Sequence, residues 1–449
     1  MIRLDLGEVA AAVGAPAPGR PGRIAGVATD SRAVAQGNLF ACLRGARVDG
    51  HDFADRAVAG GAAALLVERP LDVDAPQLVV PNTLEALGKL AAAWRRQLDP
   101  AVVGITGSNG KTTVKEMVTA ILALGAPVLS TRGNYNNELG VPLTLFGLAA
   151  EHRYAVVEMG AAKAGDIAYL ASIAEPDVGV LCNVGPAHLE GFGSLEGVAL
   201  AKGEMFAALP PEGWAVMNAD EPYLARWRAM NTAGHVITFG RGAGAEVRVV
   251  PSAFGARMVT PAGAFDFELP LPGEHNLVNA ATAAAACLAL DVPVDQVRAG
   301  LEQVRPVPGR LNVIHADAGW TVIDDTYNAN PASLYAALQV LTRREGPAWL
   351  VLGDMKELGG DARRLHAEMG EAAAELGVAR LYAVGEAAEG AIDAFGAGGR
   401  HFETREALIA ALAADLVPGV NCLVKGSRSM GMERVVAAIS AVERAREAG

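Results

Sequence analysis

The sequence is poor in the features that would mark it for export, for a membrane or for nucleic acid. Its four cysteines, Cys42, Cys182, Cys287 and Cys422, stand far apart and form no CxxC pair. A zinc site and a disulfide framework are therefore not expected, and single buried thiols in a reducing compartment are. Aromatic residues make up only 5% of the chain, so cores must be built mainly from Ala, Val and Leu. Basic residues are outnumbered, 38 Lys and Arg against 50 Asp and Glu, for a net charge of −12. That balance excludes a general nucleic-acid binder, which needs a cationic surplus to neutralise phosphates. It leaves small anionic ligands open, because local groups hold those. The longest apolar run, Ala280 to Leu290, falls far short of the ~20 residues that span a bilayer. Asp5 and Glu8 interrupt the N-terminal stretch where a signal peptide needs an unbroken apolar segment. The expectation is a cytoplasmic protein, monomeric, with no membrane anchor and no nucleic-acid partner.

What is present is a chain of 449 residues, 51% of them hydrophobic, long enough for roughly three domains. Residues 1–98 read as a small α/β unit. Short strands are expected at Leu39–Leu43, Ala64–Val67 and Leu78–Val80, with helices at Asp52–Ala59 and Thr83–Gln97 and a boundary at Asp99-Pro100. Residues 99–311 form the largest segment. The apolar runs Val102–Ile105, Tyr154–Val157 and Val178–Cys182 predict buried parallel strands. From His235 to about Leu271 an alternating texture predicts a few antiparallel strands, followed by a helix over His275–Leu290. Residues 312–449 repeat the strand–helix rhythm of a doubly wound, Rossmann-like fold, with strands at Thr321–Ile323, Trp349–Leu352, Leu381–Val384 and Cys422–Val424. Pro306, Pro308 and Gly309 mark a hinge before it. The fold class is thus α/β, with a small N-terminal domain, a central P-loop-type ATPase domain around a mostly parallel sheet, and a Rossmann-like C-terminal domain.

Polar clusters follow the three best strands of the middle segment, and in open α/β sheets ligands sit beyond the carboxyl ends of strands. The first cluster is Thr106-Gly107-Ser108-Asn109-Gly110-Lys111-Thr112-Thr113. Glycines there let backbone N–H groups face phosphate oxygens, and the following helix adds positive potential at its N-terminus. Lys111 can reach β- and γ-phosphates, and the Thr112 hydroxyl can bind Mg²⁺. The strict GxxxxGK[ST] pattern is not met, because residue 105 is Ile and Gly104 lies one place early. Glu158 ends the second strand and suits a Mg²⁺ contact, or equally a salt-bridged strand end. His188 lies in the loop after the third strand, where a surface histidine is the ordinary reading. Lys202 sits on a predicted helix, where a lysine ordinarily marks a solvated face.

Taken together these pieces resemble the Mur ligase family, which assembles the peptide of peptidoglycan precursors on a UDP-sugar. The shifted first glycine of the phosphate loop is part of the resemblance. It extends through Thr29–Arg32, Gly37–Phe40, Asp49–His51, Gly273–Asn276 with Asn279, Pro308–Arg310, Asp324-Asp325 and Lys425–Arg428. Within the family, Asn134–Pro142, Asp325–Pro331 and Gly353–Gly359 are similar to members that join D-Ala-D-Ala to UDP-MurNAc-tripeptide. The Asp-Asn-Pro-Arg motif of the third-residue ligases is absent. The alternatives are another amide ligase of the superfamily, such as a third-residue ligase or a folylpolyglutamate synthase, and a non-catalytic ATP-binding module.

The resemblance implies an ADP-forming ligase working through an acyl phosphate, with ATP and two Mg²⁺ ions. It implies that residues 106–113 hold ATP, that Lys111 and Thr112 serve its phosphates and Mg²⁺, and that Glu158 and His188 bind a second Mg²⁺. Lys202 would be carbamylated, exchanging an ammonium that repels Mg²⁺ for anionic oxygens. Asn276 and Asn279, three apart on one helical face, would meet adenine, and Asn276 also reads as a helix cap. Arg310 and Asp325 would contact nucleotide phosphate and ribose as the last domain closes. Ser31, Arg47 and Asn137 are the candidates for the UDP-sugar, and Asn328, Asn330 and Arg428 for the dipeptide.

Overall fold

The computed structural model describes residues 1–45, 47–186, 189–252 and 255–441. Three larger sheets organise them. The first has four parallel strands in the order Val27–Ala28, Leu39–Ala41, Ala64–Val67, Gln77–Val79. A two-stranded ribbon, Leu4–Asp5 with Arg23–Ile24, precedes it. The helix expected over Asp52–Ala59 is shorter and follows a 3₁₀ turn, Gly50–Phe53, because the Asp49 carboxylate accepts the His51 N–H and tightens the entry.

The central sheet has nine strands. From one edge the order is Gly263–Phe267, Gly255–Thr260, Val247–Ser252, His235–Gly240, Trp214–Asn218, Val178–Leu181, Ala101–Thr106, Tyr154–Glu158 and Val128–Ser130. The predicted alternating region supplies the antiparallel edge at Val247–Phe267, while His235–Gly240 still pairs parallel to its neighbour. The chain leaves Ala101–Thr106 toward one edge and returns to its other side with Val178–Leu181. A reversal of this kind opens a crevice at the carboxyl ends of the strands. Every residue of Ala155–Glu158 and Val102–Thr106 is buried, as parallel strands covered on both faces must be. The helices Lys111–Ala123 and Glu274–Leu288 cover one face, the latter through a run of alanines that lets it lie close.

The third sheet runs Asn312–His315, Thr321–Asp325, Asn421–Lys425, Ala348–Gly353, Arg380–Val384, Gly399–Phe402, and all pairs except the first are parallel. Its cores lie on its two faces and are its own. The first sheet is different. Leu39, Leu66 and Leu78 share one apolar cluster with Val141, Leu145 and Ile173 of the central unit. The helix Thr83–Leu98 joins them through Leu87, Leu90 and Trp94. Pro308 and Gly309 lead into the third unit, and Gly309 (φ 75°) and Leu311 (φ 52°) both adopt positive φ there.

Candidate active site

The phosphate turn is set by two glycines. Gly107 (φ 149°) and Gly110 (φ 81°) hold a backbone that side chains rarely adopt. A Cβ on Gly107 would lie 2.9 Å from the Cys182 Cβ, and one on Gly110 would lie 2.5 Å from the Asn279 Oδ1. At Gly110 a larger residue would have to displace the Asn279 amide of the helix Glu274–Leu288 as well as adopt a strained φ. Gly110 then starts the helix Lys111–Ala123, whose free N–H groups point into the crevice.

Asn183, just past the strand Val178–Leu181, zips the turn in place. Its carbonyl accepts Ser108 N–H (3.0 Å), its Oδ1 accepts Asn109 N–H (2.9 Å), and its Nδ2 donates to Asn109 O (3.0 Å). The Ser108 hydroxyl donates to Gly185 O and accepts Gly185 N–H. Lys111 folds back so that Nζ donates to Gly107 O at 2.7 Å. Burial lowers its pKa, the Glu158 charge opposes that, and the Arg310 charge adds to it.

Behind the turn Thr112 is buried, and its hydroxyl donates to Glu158 Oε2 at 2.7 Å. Glu158 is 1% exposed. Its Oε1 accepts Asn136 Nδ2 at 2.8 Å, and its N–H donates to Thr131 Oγ1 at 3.0 Å. It is therefore a hydrogen-bonded carboxylate and not a salt-bridged strand end. Arg310, from the hinge, donates from Nη2 to Thr112 Oγ1 at 2.6 Å and lies 4.1 Å over the Tyr327 ring. Two cationic groups and one carboxylate thus meet at the mouth of one helix.

Lys202 departs from the solvated-face expectation. It is 1% exposed on the helix Leu195–Ala207, with Nζ 5.6 Å from the Phe192 ring centre. That helix packs against Asp166–Ala174 and Leu224–Met230. Burial, and then the Lys111 charge, lower its pKa to about 7. A lysine so placed holds a substantial neutral fraction near neutrality. His188 lies outside the described residues.

A cavity of about 1080 Å³ opens over Lys111, Glu158 and Arg310, and Lys202 does not line it. Ser108, Asn109, Gly110, Lys111, Thr113 and Glu158 form its floor, while Thr106, Gly107 and Thr112 do not line it. Asn276 and Asn279 line one wall, and Asn279 Nδ2 donates to Asn276 Oδ1 at 3.0 Å. Asn276 is not the helix cap that the sequence suggested: Gly273 is the N-cap residue, without a side-chain cap bond, and the Asn276 amide, inside the helix, donates to Pro272 O. Asn137 lines the side toward the first domain. Ser31 and the exposed Arg47 do not line this cavity.

The third unit closes the top. Arg310, Asp325, Asn328, Asn330 and Arg428 line it. Asp325 is bonded to Lys425 Nζ and accepts Leu311 N–H, so it braces the hinge. Lys425 also donates to Asn328 O. Asn330 caps the helix Pro331–Thr342 and donates to Asn109 Oδ1 at 2.7 Å, crossing from the third unit to the phosphate turn. Sequence reasoning gave no role to Asn136, Asn183, Tyr327 or Lys425. All four stand inside or beside motifs singled out above, but their partners lie 17 to 100 residues away.

Three family profiles match the chain: Mur ligase family, catalytic domain, over 23–95; Mur ligase middle domain over 105–287; and Mur ligase, glutamate ligase domain over 309–428. The UDP-N-acetylmuramoyl-tripeptide–D-alanyl-D-alanine ligase of Escherichia coli K12 is 45% identical over 92% of this chain and 93% of its own length. The chain belongs to the Mur ligase family. Among solved structures, MurF from Acinetobacter baumannii is similar at a TM-score of 0.91 and 37% identity, covering 98% of this chain and 100% of that one. MurF ligase from Thermotoga maritima in complex with ADP gives 0.84 and 32%, covering 92% and 96%. The three profiles fall in turn on the first, central and third units of the fold.

Proposed function

We propose that the chain is the ATP-dependent ligase that joins D-Ala-D-Ala to the terminal carboxylate of UDP-MurNAc-tripeptide, forming UDP-MurNAc-pentapeptide and ADP. The observation that carries this reading is the junction of Lys111, the Thr112–Glu158 pair and Arg310, where Lys111 and Glu158 of the central unit face Arg310 across the cavity. The similarity to full-length D-alanyl-D-alanine ligases supports the choice of substrates.

ATP enters with its phosphates on the turn 106–113 and its base against Asn276 and Asn279. A tripeptide carboxylate oxygen attacks the γ-phosphorus and ADP leaves. Lys111 turns from Gly107 O toward the β- and γ-phosphates, and Arg310 meets the same oxygens. Positioning and charge therefore supply most of the barrier lowering. The dipeptide amine then attacks the acyl phosphate carbon, and phosphate leaves as the amide forms. Asn330 and Arg428 close over the cavity and exclude water from the acyl phosphate.

Magnesium fits the residues present. The Thr112 hydroxyl and Glu158 carboxylate are hard oxygen donors, and nucleotide phosphates would complete the shell. Among the described residues no three His, Cys, Asp or Glu side chains gather into a metal cage. When bound, Mg²⁺ neutralises charge that builds on the phosphates. His188, and Lys202 as its carbamate, are the proposed ligands of a second ion. Ser31 and Arg47 are proposed for the UDP-sugar, with Asn328 on the dipeptide side and Asp325 toward the ribose. Among the described residues no helix is long and apolar enough to cross a membrane. We place the enzyme in the cytoplasm as a monomer.

The deciding experiment measures phosphate release with UDP-MurNAc-tripeptide and D-Ala-D-Ala, singly and together, with mass detection of the pentapeptide. Release and product only when both are present are expected. Release with either substrate alone, or with glutamate as acceptor, would overturn the assignment.

A further inference from the structure

Glu158 presents its two oxygens differently, and the cause lies in one loop. The segment after the strand Val128–Ser130 runs along the end of the strand Tyr154–Glu158 and grips it on both sides of Glu158. Thr131 N–H donates to Val156 O at 3.0 Å, and Thr131 Oγ1 accepts the Glu158 N–H. Further on, Asn136 O accepts Gly160 N–H at 2.7 Å. Lys115, 2% exposed inside the phosphate-loop helix, fastens the start of the segment by donating to Thr131 O at 2.7 Å. Its charge is balanced by Glu116 at 2.6 Å. Between these anchors the Asn136 amide donates to Glu158 Oε1, while Oε2 faces Thr112 and the phosphate turn.

A carboxylate with one oxygen capped by an amide offers only the other to a cation. Left uncapped and buried, it could rotate to present both oxygens and draw a cation off the axis between Thr112 and the phosphates. We propose that Asn136 is a positioning residue that holds Glu158 in a one-oxygen presentation toward the Thr112 side of the phosphate turn, so that a divalent cation is shared between Glu158 Oε2 and nucleotide. Space agrees with this. A Cβ on Gly160 would lie 3.0 Å from Asn136 Oδ1, so glycine at 160 lets the amide seat against the strand end. The same loop continues into Asn137, whose Oδ1 accepts Gly140 N–H and which lines the cavity. The inference rests on the ligase reading for its metal and deepens it.

The test separates the two. The wild-type chain and Asn136→Ala are titrated with ADP by calorimetry, in EDTA and at a series of Mg²⁺ concentrations, beside the paired-substrate assay. If Asn136 positions Glu158, N136A binds ADP in EDTA as the wild type does. Its Mg²⁺ requirement, for tightening ADP binding and for turnover alike, then rises by about tenfold or more, as for other outer partners of metal-binding carboxylates. Saturating Mg²⁺ restores most of the turnover. An unchanged Mg²⁺ requirement, or an equal loss of ADP binding in EDTA, overturns the proposal. Asn136→Ser, too short to reach Oε1, gives the same reading if N136A does not fold. Should the wild type tighten on ADP with Mg²⁺ yet form no pentapeptide, the ligase reading fails and the positioning role stands or falls on the binding data alone.

Discussion

The phosphate turn and the first sheet handle charge in opposite ways. At the turn, Lys111, Lys115, Glu158 and Lys202 lie within or against buried structure, and the bonds traced above run over only a few ångströms. In the first domain, Arg44 pairs with Glu68 at 2.9 Å and Arg69 with Asp49 at 3.2 Å, all at the surface or partly so. Asp49 also bonds buried His51. Buried charges keep most of their Coulomb energy and their desolvation cost, whereas exposed pairs are screened and contribute little. The comparison teaches where a substitution should be felt, since nearly equal distances conceal very different energies.

The strongest test of that contrast is Lys111→Ala. Ligation should fall by roughly 10³-fold or more, with the melting temperature unchanged or raised because a buried cation is removed. Retained turnover would break the contrast at its centre. Next is Lys202→Met. The folded pKa of about 7 lies below the ordinary lysine value. Folding therefore releases a proton between the two values, and the charge penalty is complete below pH 7 and fades as pH rises toward 10.5. The variant should melt several degrees higher at pH 6, lose that advantage by pH 10, and be inactive throughout. A pH-independent gain would show that packing, not charge, is responsible. Asn330→Ala comes third. It removes a helix cap and the bond to Asn109, which should cost about 1 kcal/mol in denaturant unfolding and raise KM for ATP several-fold. Smallest is Arg69→Ala, expected to change stability by less than about 0.5 kcal/mol. A loss above 2 kcal/mol would show that the first domain's ion pairs are not the weak ones.

Much of the fold was legible because parallel strands buried on both faces leave unbroken apolar runs. Ala101–Thr106, Tyr154–Glu158 and Val178–Leu181 each lie within about a residue of their predicted positions. The edge strands Val128–Ser130 and Gly399–Phe402 were not legible, since three or four residues, none of them buried, leave no period to read. Lys111 and Thr112 were legible because strand, glycine turn and helix adjoin in sequence, and Glu158 because it ends an apolar strand whose carboxyl end faces the same crevice. Lys202 read as solvated because its burial comes from helices on either side of its own. Asn136 and Asn183 were visible as letters in motifs, but their bonds cross 22 and 74 residues. Only the folded chain reveals which partner each selects.

The apolar cluster that fuses Leu39 and Leu66 with Val141 and Ile173 has a mechanical meaning. The first sheet and the central unit are cast as a single block, so the central wall of the cavity is fixed when the chain folds. The opposite wall belongs to the third unit and follows the joint at residues 307–311. A donor reaching from this cavity to the first sheet would be measured against one rigid body and met by the third unit across a separate joint. Changes in the first sheet should then alter which donors fit, and changes at the joint should alter how quickly any of them is let go.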